Sequence, residues 1–505
     1  MAQGQMFAKK SVAQIQAEFN KGELKRTLGP LNLVSLGVGA IIGAGIFVMT
    51  GQAAADFAGP AVILSFIVAG FACAFAGLCY AELASTMPVS GSAYSYSYVT
   101  LGEVFAWAMG WLLLLEYGVA ASTVAVGWSG YVTSFLKDFG IIIPTAMSRS
   151  AIDLQGGVLV FAPQINLVAS IGILIVTGLL VLGVSESARV NNIIVLIKVA
   201  VLLAFIGIGF NYIKPENWVP FIPDNTGGFH YGWEGVLRAA SIIFFAYVGF
   251  EAVSTAAGEA RNPQKDIPFG ILGSLLICTI IYMAVAAVLT GVVSYKQLGV
   301  PDPIAVAVDQ MGLPWFSFLI KIGAITGLSS VMLVLVYAQT RVFYQMSKDG
   351  LLPPVFSVVH PKFRTPASGT VLLGVIISIA AAILPLRVLG DLVSLGTALA
   401  FTIVCISVMY LRKAHPDLAR PFRAPFGAPT LGVIFCVLFM MGPILLDIVS
   451  KATGYDLMGA MLGSPGTVER DPIALWILVF YILAGVLIYW LYGSKNSKIS
   501  HVAAE

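Results

Sequence analysis

The sequence predicts an all-α membrane protein with twelve transmembrane spans. Of its 505 residues, 58% are hydrophobic and only 10% are charged, whereas soluble globular chains carry roughly 25% charged residues. Apolar stretches of about 20 residues, the length that a membrane helix needs, recur from one end of the chain to the other. No stretch alternates apolar and polar residues over about ten positions, as transmembrane β-strands do. These observations together favour helices throughout.

Short polar breaks divide the apolar sequence into the twelve spans. We expect the spans to begin near Leu31, Ala61, Val104, Asn166, Ile193, Gly235, Phe269, Trp315, Ser368, Leu389, Thr430 and Pro472.

The distribution of lysine and arginine predicts the orientation. With the N-terminus inside, eighteen of these residues fall in inner loops and tails and seven fall in outer loops. Cytoplasmic loops carry such an excess, so we expect a multi-pass protein of the cell (plasma or inner) membrane with both termini in the cytoplasm. The first 29 residues are polar, and no small-residue cleavage site follows span 1, which excludes a signal peptide.

The sequence lacks the residues that several classes of protein need. All five cysteines lie in spans without a CxxC pair, and no histidine is mid-membrane, so we expect no metal and no other cofactor. No GxxxxGK[ST] loop is present to bind ATP. A channel needs rings of polar residues, and a membrane enzyme needs a nucleophile with a partner base. We therefore expect a protein that is not an enzyme.

Spans 1 and 6 are interrupted by glycine. Residues 37–51 of span 1 read GVGAIIGAGIFVMTG, and span 6 carries Gly249 and Glu251 inside the run SIIFFAYVGFEAV. Small residues allow close helix packing, but they also mark unwound segments that line a polar cavity. A carboxylate within a span needs a protein interior or water around it. Two interrupted spans five apart indicate a midplane binding site in an inverted-repeat transporter.

Three motifs add a family resemblance. GAGIF in span 1, AELASTMPVSGSAYSYSY after span 2 and GEARNPQKDIP after span 6 are similar to the amino acid–polyamine–organocation transporters. Glu116 in WLLLLEYG and Lys198 in NNIIVLIKVAVLL resemble proton-coupled, bacterial-type members of the cationic amino acid transporter family. The resemblance covers about residues 28–495 and implies a LeuT-like 5+5 inverted repeat with unwound helices 1 and 6.

The resemblance also implies a division of the chain. Its parts would be a cytoplasmic segment (1–29), a first repeat with spans 1–5 (30–212), a second repeat with spans 6–10 (213–413), spans 11–12 (414–493) and a cytoplasmic tail (494–505).

In this family the unwound segments bind the backbone of an amino acid. By resemblance, the amides of Ala44, Gly45 and Ile46 begin the second half of span 1 beside Gly43 and would bind the carboxylate. The ammonium group would contact the carbonyl oxygens of Ile41, Phe244, Phe245 and Tyr247. Phe245 is also the expected gate over the bound substrate.

Three ionisable side chains within spans receive separate interpretations. By resemblance, Lys198 takes the place that Na⁺ occupies in sodium-coupled relatives of the fold, which favours H⁺ as the coupling ion and no Na⁺. A static charge in place of sodium is the alternative. Glu116 is a second candidate for the proton network, although it could simply stabilise helix packing. Glu251 is expected to hold the unwound part of span 6.

Substrate selectivity is expected to depend on span 8. Met332, next to Val331, stands about where cation-carrying relatives have small polar residues, and a thioether shortens a pocket without offering a charge-compensating acceptor. This favours symport of small neutral L-amino acids, alanine especially. Cationic amino acid transport (arginine or lysine), exchange, and a non-transporting amino acid sensor are the alternatives. A sterol-like lipid or a small single-span subunit could dock on the outer surface.

Polar residues near the span ends receive simpler interpretations. Arg238 and Lys321 are expected to extend to the membrane interface, as long basic side chains do. Asp302 is expected to be solvated in an outer loop. Glu82 is expected to anchor an inner loop or gate.

Overall fold

The computed structural model describes residues 28–87, 92–155, 158–183, 188–256, 260–461 and 472–498. Within these ranges, nine helical stretches are long and apolar enough to cross a membrane, and three shorter apolar helices accompany them. The short helix Pro30–Ile41 and the first part of the stretch Gly45–Thr86 form span 1, and the rest of that stretch is span 2. The described residues thus contain the twelve predicted spans.

The first six spans begin within a few residues of their predicted starts. Their helical segments are Pro30–Ile41 and Gly45–Ala58 (span 1), Val62–Thr86 (span 2), Glu103–Asp138 (span 3), Leu167–Val181 (span 4), Ala188–Gly209 (span 5), and Gly232–Ile243, Phe244–Tyr247 and Ala252–Thr255 (span 6).

Five of the remaining spans begin within three residues of their predicted starts, and span 7 begins six residues earlier than predicted. The six remaining spans are Pro263–Val292 (span 7), Pro314–Lys348 (span 8), Ala367–Ile383 (span 9), Leu386–Ala414 (span 10), Ala428–Thr453 (span 11) and Ile473–Asn496 (span 12).

The predicted interruptions of spans 1 and 6 are present. Pro30 opens span 1 at its first helical position, where its missing N–H has no intrahelical partner to lose. The helix ends at Ile41, and the chain resumes at Gly45 in a π-helical turn. Span 6 narrows to a 3₁₀ turn at Phe244–Tyr247, and Gly249 follows with φ +119°. Glycine adopts this angle without a Cβ penalty.

The two interruptions pack against each other. A Cβ atom on Gly45 would lie 2.2 Å from the Cα atom of Ala246 in span 6. A Cβ atom on Gly249 would lie 2.7 Å from the carbonyl carbon of Ala40 in span 1. The glycines therefore serve close packing and unwinding together, the two readings that the sequence left as alternatives.

The prediction that Arg238 extends to the interface is wrong. Its side chain is completely buried, and Nη2 donates to both carboxylate oxygens of Asp391 in span 10, at 2.7 and 2.8 Å. It also pairs with Asp447 in span 11, which Arg387 and Lys451 contact as well. A buried guanidinium needs such partners, and spans 10 and 11 supply them.

Two further outer residues also differ from expectation. Lys321 is completely buried and pairs with Asp138 at 2.8 Å and Asp309 at 3.1 Å. Asp302 is only half-buried by exposed area, but its carboxyl is enclosed by neighbouring groups, and burial raises its pKa to about 6. It stands at the N-cap position of the short helix Pro303–Gln310, although its side chain makes no capping hydrogen bond there.

The connections contain some regular structure that the spans do not predict. A hairpin of β1 (Ile152–Gln155) and β2 (Val158–Phe161) lies between spans 3 and 4. The tyrosine-rich segment after span 2 forms a short helix, Ser92–Thr100, and its Tyr94 hydroxyl donates to Asp349 beyond span 8 at 2.8 Å. Glu82 pairs with Arg412 in the last turn of span 10, and its role in an inner loop or gate stays a prediction.

Candidate substrate and proton site

The side chain of Lys198, in span 5, contacts the end of the first half of span 1. Its Nζ atom donates to the carbonyl oxygens of Gly39 at 2.9 Å and Ile42 at 3.1 Å. The last carbonyls of a helix have no intrahelical partner, and the C-terminus is the negative end of the helix dipole. A buried cation therefore finds its hydrogen-bond acceptors where span 1 unwinds.

Span 8 encloses the same lysine from the other side. A Cβ atom on Gly327 would lie 2.9 Å from Cγ of Lys198, so the glycine makes room for the lysine stem. Only 1% of Lys198 is exposed. Spans 1, 5 and 8 therefore pack together around the Lys198 side chain, with the amine on span 1 and the stem against span 8.

The predicted ammonium-binding carbonyl groups lie at the two interruptions. Ile41 ends the first half of span 1, and its carbonyl accepts a hydrogen bond from Tyr282 of span 7 at 2.9 Å. A carbonyl oxygen has a second lone pair, which leaves an acceptor for a substrate. Phe244, Phe245 and Tyr247 form the 3₁₀ turn of span 6, and all are buried.

The predicted carboxylate-binding amides begin the second half of span 1. Ala44, Gly45 and Ile46 stand at the positive end of this half-helix, where the first N–H groups have no intrahelical acceptor. Two side chains hold the following turn in place. The Thr50 hydroxyl donates to the carbonyl of Gly45 at 3.1 Å, and the Tyr131 hydroxyl donates to that of Phe47 at 2.7 Å.

Glu116 and Glu251 form a second polar group in the membrane interior. Glu116 lies in a π-helical turn of span 3, and neither of its carboxyl oxygens has a hydrogen-bond partner among the described residues. Glu251 accepts a hydrogen bond from the N–H of Gly249 at 2.9 Å. The two carboxyls and the Tyr80 hydroxyl are close enough to interact electrostatically. Buried polar atoms without protein partners require water or a ligand.

The whole chain was compared with known proteins. A family model described as amino acid permease matches residues 28–468. The chain belongs to the amino acid permease family. This confirms the predicted resemblance to amino acid–polyamine–organocation transporters and identifies the permease as an integral membrane protein.

Individual relatives cover most or all of the permease. The methylthioribose transporter of Bacillus subtilis (strain 168) is 43% identical over 498 residues, 98% of this chain and 99% of the relative. The branched-chain amino acid permease BcaP of the same strain is 43% identical over 502 residues, with the same coverage. The vacuolar cationic amino acid transporter 4 of Arabidopsis thaliana is 38% identical over 414 residues, 81% of this chain and 67% of the relative.

The structure of the permease brings most predicted site residues together. The interruptions of spans 1 and 6 contact each other, Lys198 caps the first of them, and Gly249 connects the second to Glu251. Tyr282 and Tyr131 are the contacts that sequence reasoning missed. The available signal was a hydroxyl inside an apolar span, which needs a buried acceptor.

Span 8 approaches the unwound segment through Val331. A Cβ atom on Gly43 would lie 3.2 Å from a Val331 methyl group, whereas the adjacent Met332 is buried, with 1% of its surface exposed. Met332 remains the predicted limit on substrate size, and Val331 is the neighbour that contacts the break.

Shortening either side chain should broaden the selectivity of the permease. We expect Met332→Ser to admit longer side chains such as that of arginine, and Val331→Ser to do so more strongly because Val331 contacts Gly43. A difference of one or two carbons in a pocket changes the free energy of substrate discrimination by about 1–3 kcal/mol. Arginine should therefore inhibit labelled alanine uptake by the variants at about tenfold lower concentration than it does for the wild type. Val334→Ser, whose side chain is 37% exposed on the same span, is the matched control. Unchanged competition in both site variants would place the limit elsewhere.

Proposed function

We propose that the permease is a proton-coupled symporter of small neutral L-amino acids, with alanine as the favoured substrate. The observation that carries this proposal is the contact of the Lys198 ammonium group with Gly39 and Ile42. A titratable side chain caps the very segment whose amides and carbonyls would bind the substrate. A change in its charge therefore alters the unwound segment directly.

The position of Lys198 also supports coupling to H⁺ rather than Na⁺. In sodium-coupled relatives of the fold, the cation lies between helices 1 and 8, and here the Lys198 amine contacts span 1 while its stem packs against Gly327 of span 8. A bound Na⁺ would need the carbonyl oxygens that the amine already contacts. A Na⁺ ion bound to the same carbonyl oxygens as the lysine ammonium group would be repelled strongly by it, because the site is shielded from water.

Glu116 and Glu251 support a second step in the path of the proton. Glu251 accepts a hydrogen bond from Gly249 in the interruption of span 6. Glu116 of span 3 interacts electrostatically with Glu251 and has no hydrogen-bond partner among the described residues. We propose that these two carboxyl groups receive the proton that Lys198 releases towards the cytoplasm. The orientation follows from the excess of basic residues in the inner loops.

Transport into vesicles that contain only the purified permease tests the proposal. An inward proton gradient should drive labelled alanine above its external concentration, a protonophore should abolish this accumulation, and Na⁺ should change nothing. Accumulation that needs preloaded amino acid, and no proton gradient, would indicate exchange instead. Binding without any uptake would indicate a sensor.

Branched-chain amino acids are a second candidate substrate class. The observation in their favour is that a relative named for them is 43% identical along its whole length. Competition by valine, leucine and arginine against labelled alanine separates the candidates. Inhibition by valine well below the concentration needed for alanine would favour the branched-chain class, and inhibition by arginine would favour the cationic class.

A further inference from the structure

A cavity outside the transport path lies where spans 4, 8 and 9 end on the predicted cytoplasmic side. Its volume is about 220 Å³. Span 4 contributes its last turn at Leu180, span 8 contributes Tyr337 to Arg341, and the loop before span 9 contributes Phe363 to Pro366. No aspartate or glutamate is among the residues that line it.

Two exposed arginines supply the charge of this cavity. Arg341 lies over the ring of Tyr337, with 4.8 Å from Cζ to the ring centroid, and Arg364 enters from the loop. Neither has a carboxylate partner in the part of the chain that the structure describes. Arg364 has φ +55°, a left-handed conformation that residues other than glycine adopt only at a conformational cost. The loop therefore holds this arginine at the cavity against a conformational cost.

The threonine hydroxyl groups of the lining do not compete with the arginines as donors. Thr365 donates to the carbonyl of Val181 at 2.8 Å, Thr340 to that of Tyr337 at 2.7 Å, and Thr370 to that of Pro366 at 3.0 Å. The guanidinium N–H groups and the Tyr337 hydroxyl are the side-chain donors that remain, and the described residues offer neither arginine side chain a hydrogen-bond acceptor. The N-terminus of span 9, at Ala367, adds the positive end of a helix dipole.

The surroundings of the cavity favour an anion that carries hydrocarbon chains. Spans 4 and 9 pack together and leave aliphatic side chains exposed next to the cavity, including Leu179, Leu182 and Val371. Because they are exposed and lie on or next to apolar spans, we expect these side chains to contact lipid. Basic cavities between spans on the cytoplasmic side suit lipid phosphates, and arginine binds phosphate through two parallel hydrogen bonds.

We propose that this cavity binds the phosphate group of an anionic phospholipid from the inner leaflet. The proposal does not depend on the transported substrate, since none of the lining residues belongs to the interruptions of spans 1 and 6. The same chemistry would accept free phosphate, so the experiment compares both sources.

Titration of the full-length permease in detergent tests the proposal, with the shift in Tm as the readout. The probes are dioleoylphosphatidylglycerol, dioleoylphosphatidylcholine and inorganic phosphate. We expect saturable stabilisation by the phosphatidylglycerol and an apparent Kd about tenfold weaker in the double variant Arg341→Gln/Arg364→Gln. The double variant Lys413→Gln/Arg423→Gln removes two exposed cations on the same side, away from the cavity, and should bind as the wild type does.

The remaining outcomes are also decisive. Stabilisation by inorganic phosphate, lost in the same double variant and not exceeded by the lipid, would keep the phosphate site and assign it to a soluble ligand. Arg341→Lys/Arg364→Lys should recover most of the lost affinity, which separates loss of charge from loss of folding. Equal lipid binding by the wild type and the glutamine variant, or binding of neither anionic probe, would overturn the proposal.

Discussion

Lys198→Met should abolish proton-driven accumulation of alanine while the permease still binds alanine and exchanges it. Methionine has a similar volume but carries no proton, so the two carbonyl oxygens of Gly39 and Ile42 lose their charged donor. Coupling requires a ligand with different affinities for two states, and the variant would lose that ligand. An inward gradient of ~2 pH units corresponds to about 2.7 kcal/mol, or about 100-fold accumulation for one proton per substrate. The expected ratio in Lys198→Met is about one.

Lys321→Met is a matched control for this experiment. It removes another completely buried lysine, but its partners Asp138 and Asp309 are 42% and 48% exposed and would remain hydrated. We expect nearly normal accumulation in this variant. Full accumulation by Lys198→Met would remove Lys198 from coupling and leave Glu116 as the candidate. If the proton gradient does not drive alanine accumulation by the wild-type permease, the result would instead support the static-charge interpretation of Lys198.

Gly45→Val should abolish alanine binding. A Cβ atom at this position would lie 2.2 Å from Cα of Ala246, a contact that no rotamer relieves because it involves backbone. The interruptions of spans 1 and 6 would have to separate, and with them the amides and carbonyls of the substrate site. We expect alanine binding to weaken by more than 100-fold, measured by displacement of labelled alanine, and Tm to fall by several degrees.

Gly43→Ala provides the comparison, because its Cβ atom would lie 3.2 Å from a Val331 methyl group that can shift slightly. Its binding should fall about tenfold or less. Steric separation alone would also explain a loss in Gly45→Val, so the amides need a test of their own. Alaninamide lacks the carboxylate and should not displace alanine from the wild type. Displacement by alaninamide as strong as by alanine would rule out carboxylate binding at Ala44–Ile46.

The position of Val331 beside Gly43 shows where sequence reasoning about the site is least secure. The apolar run of span 8 predicts a helix. Neighbouring residues of a helix point in directions about 100° apart, so an error of one residue changes which side chain faces the site. The motif resemblance pointed to Met332, and the structure places the Val331 side chain against the break. Only the packing of span 8 on span 1 determines which of the two faces the interruption.

The sequence by itself determined the class of protein, the twelve spans and the two interruptions. Each of these is a local property, since about 20 apolar residues suffice to define a span and glycines within it suggest a break. Only the tertiary structure determined which charged side chains are buried and with which partners they pair. Arg238 and Asp391 are 153 residues apart in the chain yet form a buried pair, and Lys198 finds its acceptors more than 150 positions earlier in span 1. The charged end of an isolated basic side chain near a span end is expected to extend to water at the membrane interface, because burying a charge without a partner is costly. Whether a distant span supplies that partner depends on how the helices pack.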